Sequence, residues 1–194
     1  LMHGLMAIFN SWCYRAPMII MGATGPADAP LRRPWIDWIH TALVQGSLVR
    51  EYVKWDDQPA GLAAVPESLL RAHRVARTDP PGPVYVCFDA DVQEEKLTEP
   101  FQLPDFSQFP GPTRFQADPE ALIHAAELLL DAERPVVLAS YLGKAPLAVD
   151  GLVRLAETLA LPVIDMGDLF NFPSRHPFNL TEAAGELLGE ADVI

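Results

Sequence analysis

Asp37 and His40 stand three residues apart in Arg33-Pro34-Trp35-Ile36-Asp37-Trp38-Ile39-His40, close enough on one helical turn to form a carboxylate–imidazole acid/base dyad. The same pair can make an ordinary interface hydrogen bond, because Trp35 and Trp38 are large flat side chains of the kind favoured where one edge is apolar and the other wet. Gly22-Ala23-Thr24-Gly25-Pro26 is small enough to cradle a phosphate, yet it has neither the P-loop lysine nor the glycine spacing of a dinucleotide loop. It reads as a turn at the carboxyl end of a strand, which is where open α/β sheets place ligands. Cys13 and Cys87 fall in an expected helix and an expected buried strand and are read as two reduced core thiols.

These residues need elements to hold them. Leu1 to Tyr14 has a helical pattern, with Leu5, Ile8, Phe9 and Trp12 on one side and small Gly4, Ala7 and Ser11 allowing close packing; Pro17 ends it. Pro17 to Met21 and Val84 to Phe88 are short apolar runs without polar alternation, the signature of strands buried on both faces of a parallel sheet. Leu48-Val49 to Lys54-Trp55 is expected to be a strand or extended segment, Leu62 to Arg77 a helix, and Pro80 to Pro83 a turn.

The second half repeats the rhythm. Asp118 is the expected N-cap of a helix reaching Ala132, with Pro119 at its first position and Glu120 complementing the helix dipole. Pro135 to Ala139 and Pro162 to Asp165 are expected strands. Between them a helix should lay a stripe of Leu147, Val149, Leu152, Leu155, Ala156 and Leu159 on the sheet. Glu182 to Leu188 reads as a further helix and Glu190 to Ile194 as the start of another strand, broken off where a natural domain would not normally stop. Between Glu94 and Gln116 there is no sustained period, only Pro and Phe. There Pro fixes the backbone and Phe101, Phe106, Phe109 and Phe115 are expected to anchor an ordered interdomain linker.

The class is therefore α/β. With 194 residues and 49% hydrophobic content the chain can bury a core. A formal charge of −12, with Arg32-Arg33 the only basic pair, argues against a nucleic-acid partner. No run approaches the roughly 20 apolar residues of a membrane span, and the first residues lack the basic end and cleavage site of a signal peptide. The expected location is the cytoplasm.

Read in order, these pieces resemble the thiamine diphosphate-dependent decarboxylase and synthase family, which includes acetolactate synthase, benzoylformate decarboxylase and benzaldehyde lyase. The matching residues are Gly4 to Pro17 with Asn10-Ser11-Trp12, the strand to Met21, Gln45 followed by Lys54-Trp55, and Gly82 to Val86 leading to Asp89 and Asp91. Arg134 to Ala139, Leu159 to Val163, Phe172-Pro173, His176-Pro177 and Glu190 to Val193 complete the likeness.

The resemblance implies parts of two Rossmann-like parallel-sheet domains: residues 1–97 as the later part of a pyrimidine-binding domain, 98–116 as a linker, and 117–194 as the early part of a central domain. It implies a fragment, inactive alone, of a homodimeric or homotetrameric enzyme that decarboxylates or ligates 2-keto acids or aldehydes with thiamine diphosphate and Mg²⁺. The family's catalytic glutamate would lie upstream, and its Gly-Asp-Gly metal motif, which this sequence does not contain, downstream. No residue of this chain is assigned to a metal. By the same resemblance Gln45 lines the reaction pocket, its amide hydrogen-bonding a carbonyl or alkoxide, or else caps a turn near Gly46. His3 stands where several relatives carry an asparagine touching the pyrimidine ring. FAD is possible but disfavoured, since Ser140-Tyr141-Leu142-Gly143-Lys144 replaces a glycine triplet, although Lys144 could meet a phosphate. Two other readings remain. One is a non-catalytic Rossmann-like interaction module using the Trp35/Trp38 face; the other is a nucleotide-binding domain using the 140–144 loop.

Overall fold

The computed structural model describes residues 1–113 and 115–194, with Pro146 described by its backbone alone. Arg114, inside the expected linker, lies outside the described residues. The chain forms two compact units, Leu1–Arg114 and Phe115–Ile194.

Unit 1 is a parallel sheet in the order β1 (Met18–Thr24), β3 (Pro83–Asp89), β2 (Asp56–Asp57), with Ile20 opposite Tyr85 and Gly22 opposite Cys87. Because successive side chains point to opposite faces, β3 divides its residues between two layers. Tyr85 and Cys87 meet Ile8 of α1 (Leu5–Cys13) together with Val49 and Val53. Val84 and Val86 meet Ala72 and Ala76 of α3 (Val65–Arg77). The sheet is covered on both sides, which explains why β3 is apolar without alternation. Two short helices, α2 (Ile36–His40) and α4 (Ala90–Glu94), follow the ends of β1 and β3, and Asp89 caps α4 by accepting from the Asp91 N–H at 2.9 Å.

Several expectations need correcting in this unit. The Leu48–Trp55 segment is extended only at its end: residues 45–48 and 50–52 are 3₁₀ turns, and Val53 is extended. Lys54 N–H then donates to the Pro83 carbonyl at 2.8 Å and Tyr85 N–H to the Trp55 carbonyl at 3.0 Å, leading into the pairing of Asp56 and Asp57 with β3. Val49 and Val53 both pack with Ile8 of α1 in the core under Tyr85. Phe9 and Trp12 of α1 are largely exposed, while Ser11 is buried and donates to the Ala16 carbonyl. No disulfide joins the cysteines, but only Cys87 is a core thiol; Cys13 is exposed. Of the linker aromatics, Phe101 and Phe109 line a hollow of about 410 Å³ beside Leu70 of α3, yet Phe109 stays about as exposed as Phe106.

Unit 2 opens with α5 (Pro119–Asp131), capped as expected by Asp118, whose carboxylate accepts from the Glu120 N–H at 3.0 Å. Phe115, just before it, is largely exposed rather than anchored. The parallel pair β4 (Val137–Ala139) and β5 (Val163–Asp165) is joined by α6 (Pro146–Leu159). Ala139, Ala156, Leu161, Val163 and Phe172 form its core, with Leu152, Val153 and Leu159 packed against it. Leu147 and Leu155 fall outside the buried stripe and are exposed. After α7 (Ala184–Glu190), Val193 bridges Pro135 in parallel on the other side of β4, the start of strand pairing expected there. Asp192 anchors that edge, accepting from the N–H groups of Glu133 at 2.8 Å and Arg134 at 2.9 Å. Among the described residues no helix is long and apolar enough to cross a membrane.

Candidate functional site

The carboxyl ends of β1 and β3 gather the polar groups of unit 1. The 3₁₀ turn that carries Gln45 is pinned at Gly46, where an added Cβ would lie 2.2 Å from Asp56 Oδ2, and Asp56 is in turn held by Arg50 at 2.8 and 2.9 Å. That pairing holds the Asp56 carboxyl below its ordinary range. Gln45 is thereby carried to the end of β1, where its Nε2 donates to the Ala23 carbonyl at 2.7 Å. Its Oε1 accepts from the Tyr85 hydroxyl at 2.9 Å. Tyr85 is fully buried, and burial raises its phenol well above the ordinary value, so the hydroxyl keeps its proton. The reading of Gln45 as a cap near Gly46 is therefore not what the side chain does: its amide bridges two strands.

His3 belongs to the same edge by topology. Trp12 lies beside Gly82, just before β3 begins, and Ile8 lies against Tyr85 and Cys87 further along it. Helix α1 thus runs against the strands, and its amino end, preceded by the exposed residue His3, points toward their carboxyl ends. Thr24 closes β1 by donating from its hydroxyl to the Ala42 carbonyl at 3.1 Å.

Next to this polar group is an acidic one. A hollow of about 480 Å³ is lined by Ala27, Leu43, Gln58 and the carboxylates of Asp28, Asp89 and Asp91. Asp89 accepts from the Ala27 N–H at 2.7 Å, tying the loop after β1 to the end of β3. Partial burial, then the charges of Asp89, Asp28 and Glu94, raise the Asp91 carboxyl above its usual value. Among the described residues no cluster of three or more His, Cys, Asp or Glu side chains is placed to hold a metal.

The Asp37–His40 dyad does not form. Asp37 is buried and takes a bidentate pair from Arg33, at 3.0 and 3.1 Å, plus the Arg33 N–H at 2.8 Å, leaving His40 on the exposed side. The guanidinium offers two coplanar N–H donors that match both carboxylate oxygens and an imidazole can direct only one, so Arg33 is the stronger partner. Trp35 and Trp38 are 76% and 61% exposed, with the Arg32 guanidinium 5.1 Å from the Trp38 ring centre. Gly22 to Gly25 forms the strand end rather than a phosphate loop, and a Cβ on Gly22 would lie 1.9 Å from the Tyr85 oxygen.

In unit 2 the 140–144 loop is engaged with the protein itself. Leu142 N–H donates to Asn171 Oδ1 at 2.8 Å, and a Cβ on Gly143 would sit 2.5 Å from the Phe170 carbonyl oxygen. Tyr141 adopts the left-handed conformation, and its ring lies 5.0 Å from Lys144 Nζ. The bonding of Tyr85 and the clamp at Asn171 have no local sequence signal, because each joins segments far apart in the chain.

No family model matches the sequence. A probable acetolactate synthase large subunit from Methanocaldococcus jannaschii is 33% identical over 141 residues, 67% of this chain and 24% of that protein. The 2-hydroxyacyl-CoA lyase of Arabidopsis thaliana is 26% identical across 98% of this chain and 33% of its own length. The fold is shared with a thiamine diphosphate-dependent 4-hydroxybenzoylformate decarboxylase of Rhodococcus jostii RHA1, at a TM-score of 0.68 and 23% identity over 90% of this chain and 32% of that one. The chain thus spans a quarter to a third of the length of these proteins. By these matches in sequence and fold, the chain belongs to the thiamine diphosphate-dependent enzyme family.

Proposed function

We propose that the protein containing this chain decarboxylates a 2-keto acid, or ligates the product to a second carbonyl compound, with thiamine diphosphate and Mg²⁺. Residues 1–97 would be the later part of its pyrimidine-binding domain, 98–116 a linker, and 117–194 the early part of its central domain. The observation that carries this reading is Gln45, held by both ends of its amide at the carboxyl edge of a parallel sheet.

The residues of that edge fit one portion of such a cofactor and not the other. Gln45 and Thr24 offer neutral polar atoms suited to an uncharged ring or a carbonyl, whereas Asp28, Asp89 and Asp91 would repel a diphosphate. We therefore assign the diphosphate, Mg²⁺ and the activating glutamate to other parts of the protein. When bound, thiamine diphosphate supplies the electron sink for loss of CO₂. In this reading the remaining N–H of the Gln45 amide donates to the substrate oxygen as charge develops on it, without adding net charge. His3 lies on the approach to the same edge, where an imidazole can both donate and accept beside the cofactor's ring.

Flavin is disfavoured because the 140–144 loop has spent its close approach on Asn171 and Phe170. Homo-oligomeric assembly and a cytoplasmic location belong to the same proposal. The exposed Trp35 and Trp38 favour a second reading, a non-catalytic interaction module. Calorimetry of the full-length protein with thiamine diphosphate and Mg²⁺, followed by a 2-keto acid decarboxylation assay, decides between them. The enzyme reading expects saturable binding and CO₂ release; no heat and no turnover would leave the module.

A further inference from the structure

We propose that Tyr85 is a positioning residue that acts through Gln45, fixing which face of the amide meets the substrate. This rests on the reading of Gln45 as a pocket residue. The polarity of the contact follows from its far end. The Ala23 carbonyl can only accept, so the Gln45 nitrogen must face it, and Gln45 Oε1 must then face the Tyr85 hydroxyl, which donates. An amide tied at both ends cannot turn over, and it keeps one N–H and one oxygen lone pair for a ligand. Gln45 itself is only half-buried, so those groups remain accessible.

The fold makes room for this arrangement at a specific place. Tyr85 and Gly22 lie on the same face of the sheet, since Ile20 pairs with Tyr85 and Gly22 with Cys87. Any side chain at position 22 would occupy the phenol oxygen's place, the Cβ falling 1.9 Å from it. The ring packs with Ile8, Val49, Val53 and Cys87 while its hydroxyl donates to Gln45 Oε1 at 2.9 Å. A purely structural tyrosine would need only a partner for its hydroxyl; this one takes the side chain that is itself bonded to the Ala23 carbonyl at the strand end.

A double-mutant cycle in the full-length protein tests the proposal, using Tyr85→Phe, Gln45→Ala and the pair. Tyr85→Phe keeps the ring and removes one oxygen. It should lower kcat/KM for the 2-keto acid about tenfold in the native background and less than about twofold in the Gln45→Ala background, because its effect passes through the amide. Affinity for a non-reactive 2-keto acid analogue, measured by calorimetry, should fall with the same non-additivity. Tyr85→Phe should also destabilise less in the Gln45→Ala background, where the hydroxyl has already lost this partner, so the kinetic and affinity readouts carry the test. Equal kinetic losses in both backgrounds, or none in either while Gln45→Ala is impaired, would overturn the role of Tyr85 and leave the proposed activity standing. A native protein that neither binds thiamine diphosphate nor releases CO₂ would overturn both.

Discussion

Replacing Asn171 with alanine should loosen both loops at the carboxyl edge of unit 2. Asn171 is fully buried; its oxygen accepts from the Leu142 N–H at 2.8 Å. Its nitrogen serves Asp165 Oδ1 at 2.8 Å, the Gly167 carbonyl at 2.6 Å and the Leu169 carbonyl at 2.9 Å. Two N–H bonds serve three acceptors, so one is shared. Each net hydrogen bond contributes about 1 kcal/mol, and leaving the Leu142 N–H without a partner costs a further ~1 kcal/mol or more, so Asn171→Ala should cost about 3 kcal/mol. Native-state hydrogen exchange read on peptides covering 140–144 and 165–171 should then accelerate roughly hundredfold, since ~1.4 kcal/mol is a factor of ten. Asn171→Asp sharpens the test. It keeps an acceptor for Leu142 but turns the donor into a carboxylate facing Asp165, so at neutral pH it should be at least as damaging as alanine. Exchange at these peptides changing less than about threefold in both variants would refute the idea that one amide holds the two loops together.

Two further outcomes follow from unit 1. Asp37 is held below the ordinary carboxylate range first by the Arg33 side chain and then by the Arg33 N–H, so its contribution to stability is present above its unfolded value and is lost as pH falls through the lower folded one. Asp37→Asn should therefore flatten the fall in melting temperature below about pH 4; an unchanged acid limb would count against the Arg33 clamp. Gly22→Ala should destabilise the unit by about 2 kcal/mol, the order of an overpacked core, and Tyr85→Leu in the same chain should recover most of it in urea unfolding.

What could be read in advance follows the range of each interaction. The strand near 84–88 announces itself because burial on two faces leaves no polar position, whereas in the equally apolar run at 17–21 Met18 and Met21 are exposed; the cap at Asp118 is a contact between near neighbours. The side chains of Val49, Tyr52 and Val53 favour a strand, but residues 45–48 and 50–52 form 3₁₀ turns, and the spacing of Val49 and Val53 does not discriminate, since i and i+4 share a face in a strand and in a helix alike. Asp37 lies three residues from His40 and four from Arg33, and both fall within one helical turn of it, but Arg33 has the better geometry. Gln45 was found through likeness to other proteins, not through its neighbours. Its bond to Tyr85 spans 40 residues and depends on the register of β1 against β3, which no local pattern encodes.

The parallel bridge between Pro135 and Val193 also sets an order of events on the ribosome. Arg134 is joined to Asp192 across 58 residues, so one edge of β4 leaves the exit tunnel well before the segment that covers it. At ordinary synthesis rates that interval is roughly 3 to 12 seconds, long compared with hairpin or helix formation. During it, β5 and α6 can settle on one side of β4 while the other side has only solvent, or a chaperone, for company. Asp192 then meets the waiting N–H groups of Glu133 and Arg134, and with its arrival the pairing of that edge begins.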